Sequence, residues 1–154
     1  MKKSLGKTSI ILVLIVISMC FTGCVKKGGP YDIGTEFVYE DIVSITIEDA
    51  SVSEAFFDEK NMESITLLVS IENLSSEDNF TYDENHFYIC DSKNDEVKYS
   101  ISDNYIVRVP LGREVLEPGG KGEGTMIFDV EKGCGDYLEY TLRNDIQPIK
   151  IKFR

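Results

Sequence analysis

Apolar residues recur at every second position in segment after segment of this chain. Val43, Ile45 and Ile47 alternate with Ser44, Thr46 and Glu48, and Ile65, Leu67, Val69 and Ile71 alternate with polar residues except at Leu68. A period of two turns successive side chains to opposite faces, so each run predicts a strand with one face on a core and the other toward water. Phe87 with Ile89, then Val97, Tyr99 and Ile101, predict a hairpin across the polar turn Asp91-Ser92-Lys93-Asn94-Asp95. Tyr105, Val107 and Val109 predict a further strand before Pro110. Met126, Phe128 and Val130 predict another, as do Leu138, Tyr140 and Leu142, and finally Ile149, Ile151 and Phe153. Ser53 to Lys60 is expected to be a loop with one helical turn at most, because Phe56 and Phe57 are adjacent and sit on no helical face. Seven or eight strands at this spacing predict an all-β, immunoglobulin-like sandwich.

The first residues follow a different pattern. Lys2, Lys3 and Lys7 precede an apolar run from Ile10 to Ile17, the layout of a signal peptide. Even the generous stretch Thr8 to Phe21 is shorter than the ~20 residues needed to cross a bilayer. Phe21-Thr22-Gly23-Cys24 resembles the bacterial lipobox, in which small residues precede a cysteine that is acylated and becomes the new N-terminus. Cys24 is therefore the expected lipid attachment site; Cys20 is a poor substitute because bulky Met19 precedes it. The expected organisation is a signal peptide over 1–23, a lipidated N-terminus and tether over 24–34, and the sandwich over 35–154. Two or three acyl chains on one cysteine hold a domain firmly where a single chain does not, so the expected localisation is the extracytoplasmic face of the cell membrane.

Charge narrows the partners. The 154 residues carry 16 basic and 27 acidic side chains, a net charge of −11. Removing residues 1–23, which hold three lysines and no acids, brings the balance to −14. Such a surface repels phosphate backbones, so no nucleic acid is expected as a partner.

The second half of the chain carries more specific punctuation. Phe87-Tyr88-Ile89-Cys90-Asp91, then Tyr99, Leu116-Glu117-Pro118-Gly119-Gly120, Gly124 and Phe128-Asp129-Val130 follow in order, preceded by Ile65 to Ser75 with its Val-x-Ile-x-Asn signature. Over Phe37 to Phe153 this resembles the telokin-like, immunoglobulin-like family of unknown function found in lipoproteins and secreted proteins of Gram-positive bacteria. That family is related in fold to a mycobacterial secreted antigen. The chain departs from it after Asp91, where Asn94-Asp95 replace an expected glycine. The resemblance implies a shape and no enzymatic activity. Independently, Pro118-Gly119 suits the centre of a type II turn, and Gly122 and Gly124 are expected to let a strand bulge or bend.

Candidate chemistry is sparse. His86 is the only histidine and lacks a nucleophile elbow or a paired-ligand spacing, so no catalytic residue and no metal ligand is assigned. Acids cluster at Glu77-Asp78, Asp83-Glu84 and Asp91 to Glu96, and calcium takes oxygen ligands. Asp91 to Ser102 nevertheless lacks the central glycine and terminal glutamate of an EF-hand loop, and no cofactor is expected. Tyr31, Tyr39, Tyr82 and Tyr88 could form an aromatic patch or line the rim of the core. Cys90 and Cys134 remain in an oxidising compartment where a disulfide is permitted by count. Against it, the alternation that buries Phe87 and Ile89 turns Cys90 to the other face, so free thiols are expected.

The functional expectation is a membrane-anchored, extracytoplasmic lipoprotein whose domain acts as a binding or scaffolding module toward an envelope or extracellular protein. The alternative is a structural or envelope-stress accessory that modulates a neighbouring transporter or cell-wall enzyme. Independent enzymatic activity is not expected.

Overall fold

The computed structural model describes residues 33–55, 61–103, 105–141 and 148–154. The signal peptide, Cys24, most of the tether, Phe56 to Lys60 and Leu142 lie outside the described residues. Ten strands are present among the described residues: β1 (Glu36–Tyr39), β2 (Val43–Glu54), β3 (Met62–Asn73), β4 (Phe80–Asp83), β5 (Phe87–Asp91), β6 (Asn94–Tyr99), β7 (Arg113–Leu116), β8 (Lys121–Glu131), β9 (Tyr137–Tyr140) and β10 (Ile149–Lys152). They form two four-stranded antiparallel sheets, ordered β1-β2-β3-β8 and β10-β9-β5-β6, with β4 and β7 as a separate pair. The inward positions are those read from the alternation. Ile45, Ile65, Leu67, Val69, Ile71, Phe87, Ile89, Phe128 and Leu138 are fully buried and meet in one core. The immunoglobulin-like sandwich is thus present, with β1, β4 and β7 added to the strands expected.

Three details differ from the sequence reading, each for a local reason. Ser53 and Glu54 are the last residues of β2, not the start of a loop, because β2 pairs with β3 as far as Glu54↔Glu63. Tyr105 to Val109 forms no strand. That segment borders β8 through isolated contacts, with Ser102 N–H donating to the Ile127 carbonyl at 2.8 Å and Thr125 N–H to the Val109 carbonyl at 2.8 Å, and Pro110 has no N–H with which to continue a ladder. Gly122 and Gly124 produce no bulge, since β3 and β8 pair without a register shift from Met62↔Glu131 to Glu72↔Lys121. The irregularity lies instead in β2, between Ile47 and Asp49.

The turn after Asp91 works without glycine. The Asp91 carboxylate accepts from Lys93 N–H at 2.6 Å, closing the chain over Ser92-Lys93, so that β6 begins at Asn94. Pro118-Gly119 forms the expected turn, with Gly119 at φ 73° and Gly120 N–H donating to the Glu117 carbonyl at 2.8 Å. Asn73, the last residue of the Val-x-Ile-x-Asn run, is buried and fastens this turn. Its amide donates to the carbonyls of Asp78 and Leu116 at 2.9 and 3.0 Å, and its side-chain oxygen accepts from Ser75 N–H at 3.0 Å.

The β1–β2 hairpin stores strain. Glu40 and Asp41 both have positive φ, 48° and 56°, in a turn closed by Ile42 N–H to the Tyr39 carbonyl. These are the backbone angles for which Asn-Gly is suited and Glu-Asp is not. Replacing Glu40-Asp41 by Asn-Gly is expected to stabilise the domain by about 1 kcal/mol, visible as a rise of about 3 °C in the thermal midpoint. An unchanged or lowered midpoint would contradict the strain.

Candidate functional site

The outward positions of the second sheet bring together residues that the sequence left scattered. Two rows run across its strands: Lys150, Glu139 and Tyr88, and beside them Lys152, Tyr137, Cys90 and Lys98. Glu139 lies between Leu138 and Tyr140, both inward, so its side chain points outward, away from the core. Its side chain is nevertheless only 2% exposed. Lys98 Nζ donates to its Oε1 in a close ion pair, Lys150 Nζ stands 3.9 Å from its Oε2, and the Cys90 thiol donates to Oε2 at 3.3 Å. A buried carboxylate needs such compensation, because an unpaired charge removed from water is costly. The lysine stems that supply it cover it while keeping their ammonium groups toward solvent. Lys98 also stands over the Tyr88 ring, 5.7 Å from its centre.

The outer face of the first sheet has the opposite character. Its rows read Val38, Ser44, Glu72 and Lys121, then Glu36, Thr46, Ser70 and Glu123, then Asp49, Leu68 and Thr125. Ser44 donates to Glu36 at 2.6 Å and Ser70 to Glu48 at 2.5 Å. At the far end, Asp129 accepts from Ser64, Ser102 and Tyr105 at 2.7, 2.7 and 2.8 Å, pinning the segment after β6 alongside β8. The sandwich therefore presents acceptors and negative charge on one side and donors, lysines and tyrosines on the other.

The residues singled out earlier take structural places. Cys90 and Cys134 are free thiols. Cys90 is buried on the outward side of β5 against Glu139, whereas burial and the neighbouring Asp91 carboxylate push the half-buried Cys134 thiol up. The tyrosines considered as a patch do not gather: Tyr31 lies outside the described residues, Tyr39 packs against the core, and Tyr82 is buried with its hydroxyl donating to Glu114 at 2.9 Å. Only Tyr88 of that set lies on the lysine face, where Tyr137 joins it. Of the acidic clusters, the carboxylates of Asp83, Glu84 and Asp91 are taken up in bonds from backbone N–H groups. Asp83 caps the short 3₁₀ turn Glu84–His86 by accepting from Asn85 N–H, which holds its carboxyl below the usual range, and Glu84 accepts from Gly112 N–H at 2.8 Å. His86, the last residue of this turn, is exposed. Among the described residues no three potential ligands gather around a common point for a metal ion.

Burial, reinforced by Glu139, pushes the Cys90 thiol up to about 12, and burial pushes the Tyr140 phenol up to about 12. A folded pKa above the unfolded one adds stability that is complete below the unfolded value and is lost as pH rises toward the folded value. Stability is therefore expected to fall between about pH 9 and about pH 12, and Cys90→Ala to flatten part of that fall. Urea melts across this range check it. In the folded protein near neutral pH, alkylation followed by mass analysis should leave Cys90 unmodified; labelling of Cys90 as fast as in denatured protein would refute its burial.

Fold and faces together define an all-β, immunoglobulin-like domain. The chain belongs to the family described as Domain of unknown function (DUF4352), matched over residues 31–148. Among solved structures it is similar to a candidate lipoprotein, ycdA, of Bacillus subtilis, with 22% identity and a TM-score of 0.60 over 77% of this chain; it spans 38% of that longer chain. It is also similar to the secreted protein MPT63 of Mycobacterium tuberculosis, with 11% identity and a TM-score of 0.59 over 82% of this chain and 98% of that one. A third similar structure is the yjhA protein of Bacillus subtilis, at 20% identity and a TM-score of 0.59 over 80% of this chain and 99% of that one. None of the curated proteins matches the sequence. At these identities the structures share a fold, and the fold carries no chemistry of its own.

Proposed function

We propose that the protein is an extracytoplasmic lipoprotein, anchored through Cys24, whose sandwich acts as a binding or scaffolding module through the outer face of its second sheet. The observation that carries the binding role is the Lys98–Glu139–Lys150 cluster flanked by Tyr88 and Tyr137. It places cationic and aromatic groups on one flat face of a chain whose net charge is −11. Tyrosines offer rigid apolar area with a polar tip, and a carboxylate buried between two lysines fixes where their charges stand; both suit a protein partner that lies along the outer face of a sheet. Support for the anchor comes from the lipobox-like Phe21-Thr22-Gly23-Cys24.

Two measurements test the proposal. Intact-mass analysis of protein extracted from membranes is expected to give an N-terminus at Cys24 carrying acyl chains, and Cys24→Ser to abolish the acylation while leaving the domain folded. A different mature N-terminus or an unmodified Cys24 overturns the anchor. For the face, affinity capture from detergent-solubilised membranes is expected to recover a stoichiometric partner with the native protein and to lose it with Lys152→Glu, which leaves the Glu139 ion pairs in place. Equal recovery with both proteins overturns the face.

A further inference from the structure

The acidic and the basic outer faces belong to one rigid sandwich, so each copy carries both halves of a complementary pair. We infer that the lysine–tyrosine face of the second sheet docks onto the acidic face of the first sheet of another copy of this chain. The inference rests on the reading that the lysine–tyrosine face is a binding surface, and it names the occupant.

Chemistry and geometry both favour this occupant. Lys98, Lys150, Lys152 and the hydroxyls of Tyr88 and Tyr137 supply donors, whereas the rows holding Glu36, Glu72 and Glu123 supply carboxylates; Glu72 is paired with Lys121 Nζ at 2.7 Å and Glu36 accepts from Ser44, which leaves Glu123 as the acid these bonds do not engage. Both faces are antiparallel sheets of four strands, whose neighbouring strands are spaced alike at about 4.8 Å, so rows of donors can lie along rows of acceptors. Gly34 N–H donates to the Ile47 carbonyl at 2.8 Å, which places the start of the described chain at the β1–β2 edge. Because the two surfaces differ, the contact is heterologous and repeats from copy to copy, building rows of domains instead of a closed pair. Anchoring in a membrane raises the local concentration that such a weak polar contact needs.

The charge of −14 on each copy that begins at Cys24 opposes association, and this opposition makes the inference testable. At physiological salt, charges separated by more than about 8 Å are largely screened from one another, whereas opposed rows in contact lie within that length. Added salt therefore weakens a contact built on opposite charges, but strengthens an association limited only by net repulsion.

The experiment is zero-length carbodiimide cross-linking of the full-length protein in membranes, using mixed light and heavy isotope copies so that links between copies are identified by mass. The expected result is links from Lys98, Lys150 or Lys152 of one copy to Glu36, Glu72 or Glu123 of another, falling at least about fivefold between low and high salt. Lys152→Glu and Glu123→Lys should each reduce the yield by a similar factor, and a 1:1 mixture of the two variants should recover part of it; circular dichroism establishes that both are folded. Absence of links between copies, links confined to other surfaces, or a yield that rises with salt each overturn the inference. If copies stay unlinked while Lys152→Glu still loses a captured partner, the occupant is a different protein and the binding face stands. If neither changes, the binding face falls with it.

Discussion

Leu67→Ala is expected to destabilise the domain by about 2–5 kcal/mol, while Thr66→Ala one position away costs less than about 1 kcal/mol. Leu67 is fully buried at the middle of β3, between Ala50 on β2 and Met126 on β8, with the second sheet closing over it. Truncation removes its apolar contacts and leaves a void that surrounding strands, held by backbone ladders on both sides of β3, cannot collapse to fill. Thr66 points to the opposite face, between Ser51 and Ile127, where it is half-buried and borders water. Urea melts of both variants check the contrast, with the midpoint moving and the slope staying constant. Similar midpoints for the two would mean that the inward face of β3 has been assigned wrongly.

That contrast also explains which strands were legible beforehand. β2, β3 and β8 are long, and each places several consecutive inward residues in the core, so period two is unmistakable over Val43–Ile47, Ile65–Ile71 and Met126–Val130. β1, β4 and β7 have four residues each, as β9 and β10 do, but they lack the third alternating apolar residue that Leu142 and Phe153 add to the sequence pattern of those two strands. In β7, buried Leu116 follows exposed Val115, so hydrophobicity alone misleads about the facing. Tyr105, Val107 and Val109 mislead in the other direction. They alternate as a strand does, yet the Tyr105 hydroxyl is tied to Asp129 and Ser64, and the segment touches β8 only through isolated bonds.

The two outer faces were hidden for a different reason. Each contributing residue was visible as the polar member of an alternating pair: Tyr88 beside Ile89, Glu139 beside Leu138, Lys150 beside Ile151. Their gathering depends on the order β10-β9-β5-β6, in which β5 and β9 adjoin although nearly fifty residues separate Cys90 from Glu139. No local pattern carries that information, because strand order is set by how both sheets close one core. The signal that could have pointed to the face was compositional: three of the basic side chains, Lys98, Lys150 and Lys152, fall on outward strand positions in a strongly acidic chain. Glu139 gave no sign of its burial, since a glutamate between two apolar residues ordinarily reads as solvated.

Gly124→Ala is expected to cost about 3–5 kcal/mol, more than its single added carbon suggests. Gly124 lies in β8, paired with Val69 on β3, and its missing side chain faces the segment that runs from Pro110 to Leu111. A Cβ built there would stand 2.5 Å from the Leu111 amide nitrogen and 2.8 Å from the Pro110 carbonyl carbon. These are backbone atoms, so no rotamer change relieves the overlap, and either β8 or the 109–111 segment has to move. Movement of that segment breaks the bonds between Thr125 N–H and the Val109 carbonyl and between Leu111 N–H and the Thr125 carbonyl, and it draws buried Leu111 away from the core. Overpacking costs about 1–3 kcal/mol, and each lost hydrogen bond adds about 1 kcal/mol. Gly133→Ala supplies the comparison. A Cβ at Gly133 meets nothing within 4 Å, and the variant bears only the penalty of placing alanine at a φ of 79°, about 1 kcal/mol. Chemical denaturation of the two variants should therefore rank Gly124→Ala as clearly the less stable; a Gly124→Ala protein as stable as Gly133→Ala would mean that the 109–111 segment does not lie against β8 in solution.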